Sequence, residues 1–184
     1  MTIVEHHPKQ ILAETKYLRL IQDGTWTYCQ RPAPIGAIAI VAITDQKEIV
    51  LIDQYRIPTS GRVIELPAGL VGDIEGLENE SLEQAARREL IEETGYDAKS
   101  IVPIINGASS AGLSDERIHL MMATDLALIG DGGGDELEDI IVHTIRFSDV
   151  HAWLEAQQAS GKDVDFKVYA GLYFASRYLQ TVVS

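Results

Sequence analysis

Apolar residues arrive along this chain mostly in short runs of strand length, and only a few stretches carry the three-and-four spacing of a helix. Residues 11 to 31 alternate weakly around Asp23-Gly24, which predicts a hairpin of two strands. Pro32 and Pro34 then interrupt the pattern. They divide the chain into an N-terminal β segment, residues 1 to 34, and a larger domain, residues 35 to 184. Ile35 to Ile43 and Glu48 to Tyr55 are apolar strand candidates joined by Asp45-Gln46-Lys47, and Val63 to Leu66 is a short strand leading into Pro67-Ala68-Gly69. A helix is predicted over 81 to 94, strands over Ile101 to Ile105, Ile118 to Leu126 and Ile140 to Phe147, and a flexible loop over Gly130 to Asp135. Ser148 is placed to cap a helix reaching Ala159, and a last amphipathic helix spans Asp165 to Thr181. Many strands, one central helix and two later ones predict an α/β domain with a mixed sheet covered on both faces.

The helix over 81 to 94 breaks its own pattern. Ser81 and Gln84 fit a capping box, and Gly95 fits the position after the last turn where φ is positive. Advancing about 100° per residue, Leu82 and Ala86 mark the buried stripe, and Glu89 and Glu93 fall about 20° to either side of Leu82. A core-facing stripe should not turn acidic, and like charges at i, i+4 destabilise a helix. One reading is a solvated acidic face with Arg88 neutralising Glu92. The other is a hard divalent cation held by oxygen ligands.

Composition narrows the choice of partner. The 184 residues suit one domain with a full core, at 46% hydrophobic and 23% charged. A net charge of −13 argues against nonspecific nucleic-acid binding, which needs a basic surface. An anionic substrate would need metal ions and local arginines to invert the field. Cys29 is the only cysteine, so an intramolecular disulfide is impossible and a cytoplasmic setting is expected. Met1 to Gln10 has neither a basic nor an apolar signal region, and Ile35 to Ile43 is too short to cross a bilayer. No membrane partner is expected. The five histidines form no zinc spacing, and there is no G-x-S-x-G elbow.

Arg88-Glu89-Leu90-Ile91-Glu92-Glu93-Thr94-Gly95-Tyr96, with Glu80 eight positions before Arg88, resembles the motif of the Nudix hydrolase family. The motif's opening glycine would fall at Ile74. Gly69 in Glu65-Leu66-Pro67-Ala68-Gly69 is the best candidate for it, which makes Leu70 to Asn79 a loop five residues longer than usual. The resemblance covers residues 35 to 180. It implies an α/β/α sandwich, preceded by an N-terminal sheet that, in the nucleoside-diphosphate-sugar branch, packs across a two-fold homodimer.

The resemblance also implies the chemistry: Mg2+-dependent cleavage of a nucleoside diphosphate sugar, with two or three ions and Mn2+ able to substitute. By position, Glu89 and Glu93 would be metal ligands, Glu92 a third ligand or a carboxylate behind them, and Ala68 a ligand through its carbonyl. Glu80 would lie further out, and Arg88 would orient the glutamates through Glu92. In the loop Gly132 to Asp139, Glu136 would be the general base and Glu138 a substrate-dependent metal ligand; an ordinary acidic loop is the plainer alternative. Arg56 would face phosphate, or make a surface ion pair. Glu65 would bond the nucleoside, or be a strand-edge carboxylate.

Trp26, Tyr28 and Arg31 would stack on and pair with the base, or pack a dimer sheet. Glu116 would contact the terminal ribose or metal, or cap the next strand. Relatives selective for ADP-ribose carry proline where this chain has Ala111, which weakens that specificity. Two other functions compete: a nucleotide-sugar sensor that binds without turnover, and a housecleaning pyrophosphatase for nucleoside triphosphates. The intact glutamates disfavour the first; the N-terminal hairpin, Arg56 and the 136–138 loop disfavour the second.

Overall fold

The computed structural model describes residues 8–32, 36–134 and 138–182. The N-terminal segment forms three strands rather than the expected two: β1 (Gln10–Glu14), β2 (Arg19–Asp23) and β3 (Trp26–Gln30), in antiparallel order β1-β2-β3. The unforeseen turn lies between β1 and β2. It contains neither glycine nor proline; the Thr15 hydroxyl accepts from Leu18 N–H, and Thr15 N–H donates to the Leu18 carbonyl. Of this sheet's side chains Ile21 is buried, whereas Ile11, Leu12, Leu20 and Trp26 are exposed.

The main sheet is built from β4 (Ala37–Ile43), β5 (Glu48–Arg56), β6 (Gly61–Glu65), β7 (Ala68–Leu70), β8 (Tyr96–Ala108), β9 (Arg117–Leu128), β10 (Ile140–Arg146) and β11 (Asp163–Val164). β4 runs parallel to β9 and β11 parallel to β6, while the other pairings are antiparallel, so the sheet is mixed as expected. β10 lines one edge of β5 from Glu48 to Gln54. The other edge meets β4 at Ile49 and Val50 and β6 from Ile52 onward. β4 therefore parts from β5 after the hairpin and takes β7 as its neighbour at Ala37 to Ala39.

Among the described residues three α-helices cover the sheet: α1 (Leu82–Thr94), α2 (Val150–Ala159) and α3 (Phe166–Val182). The strands alternate, and the two faces bury separate cores. Ala39, Val41, Ile49, Leu51, Ile64 and Leu66 pack with Leu154, Val168 and Leu172 of α2 and α3. Ile38, Ile40, Val50, Met121 and Ala123 pack with Ala85, Ala86 and Leu90 of α1. The α/β/α sandwich thus holds.

The ends of α1 are as predicted. Gln84 N–H donates to the Ser81 hydroxyl at 3.2 Å, Ser81 N–H donates to the Gln84 side chain at 2.8 Å, and Gly95 has φ 74°. For α2 the cap moves by one residue: Asp149 is at the N-cap without a side-chain cap bond, and the Ser148 hydroxyl donates to Asp149 instead. No helix among the described residues is long and apolar enough to cross a membrane.

Candidate active site

The site grows from the last two turns of α1. Burying Ala86 and Leu90 against the sheet commits the same helix face at Glu89 and Glu93, three and seven residues after Ala86. Glu93 is 2% exposed. It accepts a hydrogen bond from Ala68 N–H at 2.9 Å, so the start of β7 lies directly against the helix. Burial pushes the Glu93 carboxyl up to about 9 against the pull of that N–H, and the charges of Glu89 and Glu138 push the same way. Burial likewise lifts Glu89 to about 7, against the opposing effect of Arg88. Both acids are thus desolvated more than their protein partners compensate.

Arg88 ties the surroundings together. Its Nη1 donates to Glu89 at 2.7 Å, Nη2 to Glu80 at 2.8 Å, and Nη2 also to the Leu70 carbonyl at 3.1 Å. Burial opposes its charge, but the carboxylates of Glu80 and Glu89 more than offset this and raise it above the ordinary arginine value. Arg88 holds the Glu80 carboxyl below its usual range, helped by Gly72 N–H, which donates to it at 3.1 Å. Arg88 was expected to work through Glu92. That carboxylate is 4.0 Å away and more exposed, so the stronger bonds go to Glu80 and Glu89.

Glu138 lies on the α1 side of the sheet and receives a bond from Gln54 Nε2 at 3.4 Å. Glu136 lies outside the described residues. Arg56, the expected phosphate contact, donates from Nε to Glu65 at 2.7 Å, so two predicted substrate residues are paired with each other. Arg56 also bears on Glu93, where its charge favours ionisation. Trp26 is exposed, and Tyr28 accepts from Lys9 at 2.9 Å. Arg31 pairs with Glu116 at 2.6 Å, while Cys29 N–H donates to the Leu113 carbonyl at 2.8 Å. This sheet is therefore joined to the segment preceding β9.

Sequence reasoning passed over Gln54, although it stands beside Arg56; its position two residues before a candidate phosphate ligand, on the opposite side from Asp53, was the available signal. Among the described residues no three carboxylate, imidazole or thiol groups already converge on one point. The Glu89 and Glu93 side chains offer oxygen atoms only, and burial raises both carboxyls despite Arg88 and the Ala68 N–H. Those features suit a hard divalent cation.

This helix and the mixed sheet lie within residues 34–171, the stretch that matches the NUDIX domain family. The chain belongs to this family. It is 33% identical over 124 residues to the ADP-ribose pyrophosphatase of Bacillus subtilis (strain 168), covering 67% of this chain and 64% of the relative. It is 38% identical over 113 residues to the methanol dehydrogenase activator of Bacillus methanolicus, covering 60% and 58%. It is 37% identical over 121 residues to the GDP-mannose pyrophosphatase of Escherichia coli (strain K12), covering 61% and 60%. The chain thus spans about three fifths of the length of these relatives. The crystal structure of an ADP compounds hydrolase superimposes with a TM-score of 0.73 over 95% of this chain and 92% of that one, at 22% identity, a likeness of fold.

Proposed function

We propose that this protein hydrolyses the diphosphate bond of nucleoside diphosphate sugars with the help of magnesium. The observation that carries the proposal is the pair of desolvated carboxylates, Glu89 and Glu93, on one face of α1. The names of the relatives, ADP-ribose and GDP-mannose pyrophosphatase, support the substrate class. With ADP-ribose the products would be AMP and ribose 5-phosphate; with a sugar linked through its anomeric carbon, a nucleoside monophosphate and a sugar 1-phosphate.

Glu89, Glu93 and the Ala68 carbonyl would hold the metal, with Glu92 as a further ligand or behind them and Glu138 joining when substrate is present. Magnesium, when bound, neutralises diphosphate charge and lowers the pKa of water. Manganese would substitute, and two or three ions fit the number of carboxylates. The chain's own residues do the rest. Arg88 fixes the Glu89 carboxylate. Glu136 takes the proton of the attacking water on its carboxylate. Arg56, already at the rim of the site, exchanges its bond to Glu65 for a diphosphate oxygen pair. Glu65 is then free to bond the nucleoside. Trp26, Tyr28 and Arg31 offer two rings and a cation to a base, and Glu116 a carboxylate to the terminal ribose.

A homodimer belongs to the same reading. Ile11, Leu12, Leu20 and Trp26 leave apolar area exposed on the N-terminal sheet, which a second copy would cover. The deciding experiment incubates the protein and magnesium with ADP-ribose, GDP-mannose, ADP-glucose, UDP-glucose, NADH and a nucleoside triphosphate, and separates the products. Cleavage of sugar nucleotides to the monophosphate is expected. An intact panel would refute the proposal.

A further inference from the structure

Two adjacent carboxylates just before β10 are bonded from opposite faces of the sheet. β10 pairs with β5 through Ile140 with Gln54 and Ile141 with Asp53, so its side chains alternate in step with those of β5. That alternation puts Glu138 on the α1 side and Asp139 on the side of α2 and α3. On the α1 side Gln54 donates to Glu138. On the other side Arg62 Nη1 donates to Asp139 Oδ2 at 2.7 Å, and Nη2 donates to the Asp139 carbonyl at 3.1 Å.

Arg62 is itself immobilised. Its Nε donates to Asp53 Oδ1 at 2.7 Å and its Nη2 to the Asp53 carbonyl at 2.8 Å. Asp53 is fully buried, and Lys162 Nζ donates to its second oxygen at 2.7 Å. One guanidinium therefore joins the backbone and side chain of β5 to the backbone and side chain of the residue next to Glu138.

We propose that Arg62 and Asp139 are positioning residues: their ion pair, braced by Asp53 and Lys162 on the α2 and α3 side, fixes the chain entering β10 so that Glu138 is presented towards Glu93 on the α1 side. The physical basis is preorganisation. A carboxylate that joins a site only with substrate must otherwise lose backbone freedom at that moment. Arg62 holds both the carboxylate and the carbonyl of Asp139, which orders the backbone itself. The inference rests on the reading of Glu138 as a substrate-dependent ligand.

The test uses Asp139→Ala and Asp139→Glu in the full chain, alone and with Glu138→Gln. The Asp139 side chain is 76% exposed, so its truncation should leave the fold intact. Asp139→Ala is expected to lower kcat about tenfold with KM little changed, as expected when a group engaged in the transition state is misplaced. Asp139→Glu should recover part of the loss. Adding Glu138→Gln to Asp139→Ala should cost less than it costs the wild type, because both changes disable one device. A wild-type kcat in Asp139→Ala, or losses that simply multiply, would overturn the proposal. Amide hydrogen exchange across 138–140 reads the clamp independently of turnover. It should speed up about tenfold in Asp139→Ala, and unchanged exchange would equally overturn the proposal. If the wild type cleaves no sugar nucleotide, the hydrolase reading fails, while exchange still reports whether Arg62 orders this chain.

Discussion

The Glu89 carboxylate lies against the backbone of Gly69, so closely that a Cβ built on Gly69 would be 2.0 Å from Glu89 Oε1. Glycine is needed there for space: the side chain of α1 fills the volume that a substituent on β7 would occupy. Gly69→Ala must therefore displace Glu89. A shift of about 1 Å at a reacting centre can cost on the order of 100-fold in rate. The expected outcome is a loss of that size in kcat/KM, measured with magnesium and the best sugar nucleotide, with a thermal midpoint close to the wild type.

Glu93→Gln should separate stability from activity. The raised carboxyl means that the folded state prefers the proton far more than the unfolded chain does. Stability tied to that proton is present below the ordinary glutamate value near 4.5 and declines as pH rises towards about 9. Without metal, the wild type should lose urea stability between pH 6 and 9 more steeply than Glu93→Gln, whose neutral amide can keep the bond from Ala68. With metal and substrate, the same variant should lose several orders of magnitude in rate.

Asp53 has the opposite sign. Burial works against its charge, but the bonds from Lys162 and Arg62 outweigh this and hold the carboxyl below its usual range. Its contribution is present above the ordinary aspartate value near 3.8 and is lost as pH falls below it. Asp53→Asn should cost about 1–3 kcal/mol by removing the buried charge that Arg62 and Lys162 share, and should flatten the acid limb of the stability profile. Urea unfolding between pH 3 and 6 measures both.

Glu136→Gln should lower kcat more than it weakens substrate binding, measured by steady-state kinetics and calorimetry. Full activity in Glu136→Gln together with a strong loss in Glu138→Gln would give the proton transfer to Glu138 instead.

The central helix was legible because its signals are local. Ser81, Gln84 and Gly95 each specify a backbone geometry within four residues, and the angular positions of Glu89 and Glu93 follow from helix periodicity alone. The strands of the larger domain were legible from their apolar runs, with their ends less so. β8 runs from Tyr96 to Ala108, well beyond the predicted Ile101 to Ile105, and carries a register shift between Pro103 and Ile105. β7 follows Pro67 directly and has three residues; its pairing with β4 depends on where β5 departs, which no local pattern encodes.

The site divided the same way. Glu89 and Glu93 share one face of α1 as helix periodicity suggests, and Ala68 N–H reaches Glu93. The pairing of Arg56 with Glu65, and of Arg88 with Glu80, depends on cross-strand and loop geometry. The Asp53, Arg62, Asp139 and Lys162 network joins residues as many as 109 positions apart, so neither spacing nor composition signalled it.

The two loops bordering α1 differ in how they tolerate changes of length. The stretch from Leu70 to Asn79 is held near one end where Gly72 bonds to Glu80, and Gly76 has open space around it. Beyond the helix, Gly133 N–H donates to the Glu93 carbonyl and Gly134 N–H to that of Glu92, while a Cβ on Gly132 would lie 2.4 Å from the Thr94 carbonyl carbon. Extra residues in the first loop can spill into solvent. A single added residue in the second would break the seam that closes the last turn of α1 and disturb the very glutamates it carries. Natural variation and grafted sequence should therefore accumulate before this helix and be excluded from Gly132 to Gly134, the segment after β9 that closes its last turn.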